Sequence, residues 1–173
     1  MSSVVAIAAG LYLLSAAVAD LRSRRISNLH NVGAAMIAFV LQFATGGVAG
    51  ASAAVLGFLA GFLVMLIPFA LGLIGGGDVK FSAAAGAFLG WRILVIGLSG
   101  GIILGGVVGM VSLISQRRMC TAMKSLWGDL YSMAAGVRPT TLQQAAAVKT
   151  IPYGVTLAIG LAGAMAAHTW RLI

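Results

Sequence analysis

Glutamate is missing from this chain, and its only acids are Asp20, Asp78 and Asp129. Charged residues make up 8% of it, against roughly 25% in an ordinary soluble domain, so it lacks the polar surface a water-soluble fold requires. Cysteine occurs once, at Cys120, which excludes an intramolecular disulfide and a multi-cysteine metal centre. Only His30 and His168 are there to supplement it, so no zinc site and no other cofactor is expected. Nucleotide-binding glycine loops are absent as well: no glycine run leads into Gly-Lys-Ser or Gly-Lys-Thr, and none follows a plausible strand.

What is present is apolar. Of the 173 residues, 61% are hydrophobic, and the mean hydropathy is +1.07. Such a chain divides into spans of about 20 residues, each crossing a hydrocarbon layer roughly 30 Å thick. The fold class expected is therefore all-α, a single polytopic membrane domain over 1–173 with about six transmembrane helices.

Net charge is +8, yet the eleven Lys and Arg lie at span ends and in short loops rather than on an amphipathic soluble surface. They suit topology, and no nucleic-acid partner is expected. Residues 4–19 form an apolar run ending in Ala17-Val18-Ala19, which mimics a signal-peptide cleavage site. However, no Lys or Arg precedes the run, while Arg22, Arg24 and Arg25 follow it directly. The run is expected to stay as span 1, with the N-terminus outside and the basic loop in the cytoplasm.

From there the spans alternate. Span 2 covers about 31–46 and turns at Gly46-Gly47; span 3 covers about 49–74, with room to tilt or to bend at Pro68. Residues 81–115 would make one helix about 52 Å long, too long for one crossing, so they are divided between spans 4 and 5. The break is expected at Gly90-Trp91-Arg92, with Gly97 to Gly101 as the alternative. Residues 116–149 read as a cytoplasmic loop, in which Met119, Met123, Leu126, Trp127, Leu130 and Ala134 recur at the spacing of an interfacial amphipathic helix. Span 6 opens at Ile151-Pro152 and ends near His168. Nine of the eleven basic residues then fall on the cytoplasmic side, all but Arg92 and Arg171. In span 5, Gly97, Gly101, Gly105 and Gly109 mark a helix-packing face, to which no chemistry is assigned.

The acids are where chemistry can reside. Asp20 closes span 1 and Asp78 closes the glycine run that opens span 4, so both belong at one membrane face although 58 positions separate them. Acids at membrane level often mark function. Asp20 lies at a helix C-terminus and Asp78 near a helix N-terminus, which favours Asp78 as the more readily ionised; Arg22, Arg24 and Lys80 act on the same balance. Two-carboxylate hydrolysis needs such a pair, one ionised member to take a proton from water and one protonated member to polarise the scissile carbonyl. Gly75, Gly76 and Gly77 offer a backbone without side chains that an extended peptide can approach. Lys80 either pairs with Asp78 or snorkels to the interface. Asn28 and His30 are candidates for orienting the first loop. Asp129 reads as a surface charge, and His168 falls on the far side.

Gly75-Gly76-Gly77-Asp78-Val79-Lys80, Asp20 ahead of Arg24-Arg25-Ile26-Ser27-Asn28, and Ile151-Pro152-Tyr153-Gly154 together resemble the type IV prepilin peptidases, GxGD-type aspartic peptidases of the membrane. The resemblance runs in order along nearly the whole chain. It implies that Asp20 and Asp78 are catalytic. It also implies that the substrate is a prepilin, cut at the cytoplasmic face of the bacterial inner membrane, after a glycine, between a short basic leader and a hydrophobic helix. Many relatives carry a larger first loop with zinc-binding cysteines and also methylate the new N-terminus. Here that loop has about ten residues and no cysteine, and Ser27 stands where relatives often have proline. The chain thus resembles the short branch associated with Flp-type pili, for which no methyl transfer is expected. Basic loops facing a basic leader leave recognition either local to the aspartates or to helix-to-helix contacts. A small transporter or channel subunit, or a non-catalytic assembly component, are the alternatives; a transporter predicts acids at mid-membrane and an internal repeat, neither of which is evident.

Overall fold

The computed structural model describes residues 2–23, 27–70, 74–115, 128, 131 and 153–170. They form an all-helical bundle of α1 (Ser3–Ser23), α2 (Asn28–Ala70), α3 (Gly76–Ser115) and α4 (Tyr153–Thr169). The first three are long and apolar enough to cross a membrane, and α4 is a shorter apolar helix. The expected amphipathic helix of 116–149, with Asp129 and Cys120, lies outside the described residues apart from Gly128 and Tyr131.

Neither α2 nor α3 is one straight rod. Gly47 (φ 57°, ψ −143°) and Gly90 (φ 73°, ψ 164°) leave the helical region for left-handed conformations that side-chain-bearing residues avoid. In a straight helix, residues eight apart are about 12 Å apart along the axis. Yet Gly50 packs on the backbone of Gln42, and a Cβ on Gly86 would come within 2.9 Å of the Leu94 side chain. The chain therefore doubles back at both glycines. The turn expected at Gly46-Gly47 is found, and of the two candidate breaks in 81–115 the one at Gly90 forms, while Gly97 to Gly101 stay helical.

Glycine contacts give the packing order. Gly57 lies against Gly86, and Gly61 against Ser82, so the second half of α2 runs antiparallel to the first half of α3. Gly97 faces Leu161 and Gly101 faces Leu157 at would-be Cβ distances of 2.8 Å, setting the second half of α3 antiparallel to α4. At these crossings any side chain would strike backbone. Small residues are what let helices approach where lipid supplies no hydrophobic drive.

Residues 81–89 are buried on every side. Ala83, Ala84, Ala85, Gly86 and Ala87 make that rod thin enough for the others to close around it, while Phe81 and Phe88 fill the gaps. On α1 the buried positions are Val5, Ala9, Tyr12, Leu13, Ala16 and Asp20, one helical stripe. The opposite face, with Val4, Ile7, Leu11, Leu14, Val18 and Leu21, is equally apolar but exposed, as in a helix whose surroundings are lipid.

Candidate functional site

Asp20 stands in phase with the buried stripe of α1, four residues after Ala16, so helical periodicity alone turns it into the bundle; it is 8% exposed. Asp78 sits in the first turn of α3. Its amide donates to the Gly75 carbonyl at 3.1 Å, which makes Gly75 the residue that starts the helix, and its carboxylate folds back over that glycine. The two carboxylates are close enough that the charge of one acts on the other. A third element joins them: Gly154, in the first turn of α4, lies so near Asp20 that a Cβ there would be 2.8 Å from Oδ2 and 3.1 Å from Cγ.

The glycines beside Asp78 differ from the expected loop. Gly76 and Gly77 already belong to the first turn of α3 although glycine is a poor helix former, and Asp78 in that turn suits a helix N-terminus. None of Gly75, Gly76 and Gly77 has positive φ. A Cβ at Gly76 would rest on the Phe69 ring at 3.5 Å, and around the same position of Gly77 there is open space. The run thus leaves a bare surface next to Asp78.

Lys80 points at α2, where its Nζ donates to Asn28 Oδ1 at 2.8 Å. Asn28 and His30 lie inside α2 rather than in a loop. Ser27 accepts the first helical bond of α2 from the Asn31 amide at 3.2 Å, so the helix begins as soon as the chain leaves it. His30 stacks on Tyr12 with ring centroids 5.5 Å apart and has its Nε2 3.1 Å from Ser15 Oγ. Since the Ser15 hydroxyl donates to the Tyr12 carbonyl at 2.8 Å, the imidazole is the donor in that contact.

Two residues that sequence reasoning did not single out complete the constellation. Asn31, 2% exposed, directs its side-chain amide at the Gly77 carbonyl (3.5 Å), and Tyr12 donates its hydroxyl to Asn31 Oδ1 (3.0 Å). The available signal was a polar residue, Asn31, in a span whose only other polar side chains are Gln42 and Thr45. His168 lies fourteen residues along α4 from Gly154, about 21 Å away. With Gln42, Trp91 and Arg92 it lines a cavity of about 460 Å³ at the other end of the bundle.

These features define a class first, an apolar helical bundle of membrane type that presents two interacting carboxylates at one end. The particular family follows from comparison with known proteins: residues 7–110 match the type IV leader peptidase family, and the chain belongs to it. The match spans α1, α2 and most of α3, and so includes both aspartates, but stops short of α4. Neither the curated proteins nor the solved structures contain a match. Membership makes the chain a protease that acts on leader peptides of the prepilin type.

Proposed function

We propose that this leader peptidase is an aspartic endopeptidase with Asp20 and Asp78 as its catalytic pair, removing short basic leaders from Flp-like prepilins at the cytoplasmic face of the inner membrane. The observation that carries the proposal is that these two side chains, 58 positions apart in sequence, lie at one end of the bundle near enough for the charge of Asp20 to act on Asp78.

In this reading the pair acts as a unit holding one proton between two carboxyl groups. The ionised member takes a proton from a water molecule lying between them as the water oxygen attacks the scissile carbonyl, and the protonated member gives its proton to the developing oxyanion. Collapse of the tetrahedral species breaks the C–N bond: the amine leaves with the proton that came from water, a hydroxyl of the tetrahedral species returns its proton to the other carboxylate as the new acid forms, and the pair again holds one proton. Burial of Asp20 and the apolar surroundings strengthen each of these interactions relative to bulk water. The bare surface of Gly75, Gly76 and Gly77 lets the substrate backbone lie beside Asp78, and the Lys80–Asn28 bond ties the start of α3 to the start of α2 as support for the same edge.

The same reading has six crossings, one by α1, two by the halves of α2, two by the halves of α3 and one by α4, with the N-terminus outside. The reversals at Gly47 and Gly90 support it, as does the bias of basic residues.

The test is to express the chain with a candidate prepilin and to follow leader removal on a gel for Asp20→Asn and Asp78→Asn separately. Each substitution is expected to abolish processing while the protein accumulates in the membrane. Normal processing by either variant would refute the two-aspartate mechanism.

A further inference from the structure

We propose that Asn31 is a positioning residue for Asp78, the middle member of a hydrogen-bonded latch, Tyr12–Asn31–Gly77, that holds the first turn of α3 in place relative to α1. The inference rests on the reading of Asp20 and Asp78 as the catalytic pair, which requires those two elements to keep a defined separation.

A primary amide buried to 2% exposure in an apolar helix is costly unless its polar atoms are bonded. Both ends of Asn31 are. The Gly77 carbonyl can only accept, so it must face Nδ2, and the 3.5 Å contact follows. Oδ1 is thereby turned to Tyr12, whose hydroxyl must donate at 3.0 Å, with the Phe81 carbonyl as a second acceptor at 3.4 Å. Reversing the amide would set two acceptors against each other at Gly77. The network has one polarity.

Its geography is what gives it a role. Tyr12 is on α1, two helical turns before Asp20; Asn31 is on α2; Gly77 immediately precedes Asp78 on α3. Gly77 has no side chain, and nothing lies within 4 Å of where its Cβ would be, so no side-chain packing fixes that residue, and the Asn31 amide bonds its backbone directly. Apolar contacts between membrane helices are poorly directional, because lipid tails are as apolar as the side chains they replace. Hydrogen bonds are directional, and these two join the helix of one aspartate to the residue next to the other. Tyr12 is itself seated by Phe81 and Phe88, each with ring centroids 5.7 Å away, and by His30.

The experiment uses the full chain purified in detergent, a prepilin as substrate, and the variants Asn31→Leu, Tyr12→Phe and their combination, with Asp78→Asn as reference. Misplacing a catalytic group by about 1 Å costs on the order of 100-fold. Asn31→Leu is expected to lower kcat about 10- to 100-fold and Tyr12→Phe by a smaller factor, with KM within about twofold for both. The double variant should be no slower than Asn31→Leu alone, because Tyr12 acts through Asn31. Independently of turnover, amide exchange at residues 75–80 should accelerate in both single variants while that at 157–164 stays unchanged. The proposal is overturned if Asn31→Leu keeps the wild-type kcat, if the two losses multiply, or if exchange at 75–80 is the same in Tyr12→Phe as in wild type. Should Asn31→Leu fail to fold, Tyr12→Phe alone decides through its kcat and exchange. Failure of the peptidase reading looks different: wild type leaves the prepilin intact, or Asp78→Asn cleaves as fast as wild type, and the exchange comparison still judges the latch.

Discussion

Gly154→Ala should slow leader removal without unfolding the protein. The new methyl carbon would sit 2.8 Å from Asp20 Oδ2, 3.1 Å from Cγ and 3.4 Å from Cβ, whereas ordinary contact begins at 3.4 Å, so about 0.6 Å must be found. The atoms in the way are the end of a side chain, and the Asp20 carboxylate can rotate where a helix backbone cannot. It is therefore the carboxylate that moves. If 1 Å of misplacement costs on the order of 100-fold, a displacement of this size costs about 10-fold in kcat. Overpacking adds roughly 1–3 kcal/mol of destabilisation, less whatever alanine contributes as the better helix former. The assay is prepilin cleavage under saturating substrate, with thermal melting on the same preparation. Gly163→Ala serves as the control on the same helix, since a Cβ there meets nothing within 4 Å, and it should leave the rate unchanged and raise the melting temperature slightly. A folded Gly154→Ala protein that cleaves at the wild-type rate would refute the placement of α4 against Asp20 as a constraint on catalysis.

Gly90→Ala should destabilise the bundle by about 1–3 kcal/mol, because φ 73° with ψ 164° is a region nearly restricted to glycine; Gly106→Ala, at an open helical position, should not, and thermal denaturation in detergent distinguishes them. Gly86→Leu should prevent the second half of α2 from closing on the first half of α3, since even a Cβ would strike the Gly57 backbone. The expected result is loss of monodisperse protein on size exclusion, and a normally folded Gly86→Leu chain would contradict the antiparallel pairing of Gly57 with Gly86.

Much of the layout was legible in the residues. The scarcity of charge determined the environment, and the glycines at 46–47 and 90 marked the reversals because positive φ excludes almost every other residue. Asp20 and Asp78 were conspicuous as two of only three acids, and the motifs around them pointed to the family that residues 7–110 match. Local rules fail where helix initiation competes with loop formation: local pattern puts Asn28, His30 and Gly76-Gly77 in loops, yet all four are helical. Local sequence offers Lys80 either Asp78 or the interface, whereas its partner is Asn28, 52 positions away.

Which residues face one another was decided only by the tertiary structure, and the reason is physical. In water, burial can be read from polarity, because one face of a helix is apolar and the other is not. In a chain with an apolar environment that contrast vanishes: Val4, Ile7 and Leu11 are exposed, Val5, Ala9 and Leu13 are buried, and hydropathy does not separate the two sets. What separates them is size and directional bonding. The thin alanine and glycine rod of 81–89, the contact of Gly154 with Asp20, and the bonds of Asn31 to Tyr12 and Gly77 bring together residues far apart in sequence, and no local pattern encodes those meetings. Sequence determined that this is a membrane protein with two acids available for chemistry; only the packing decided that both lie at one end of the bundle, within reach of each other's charge.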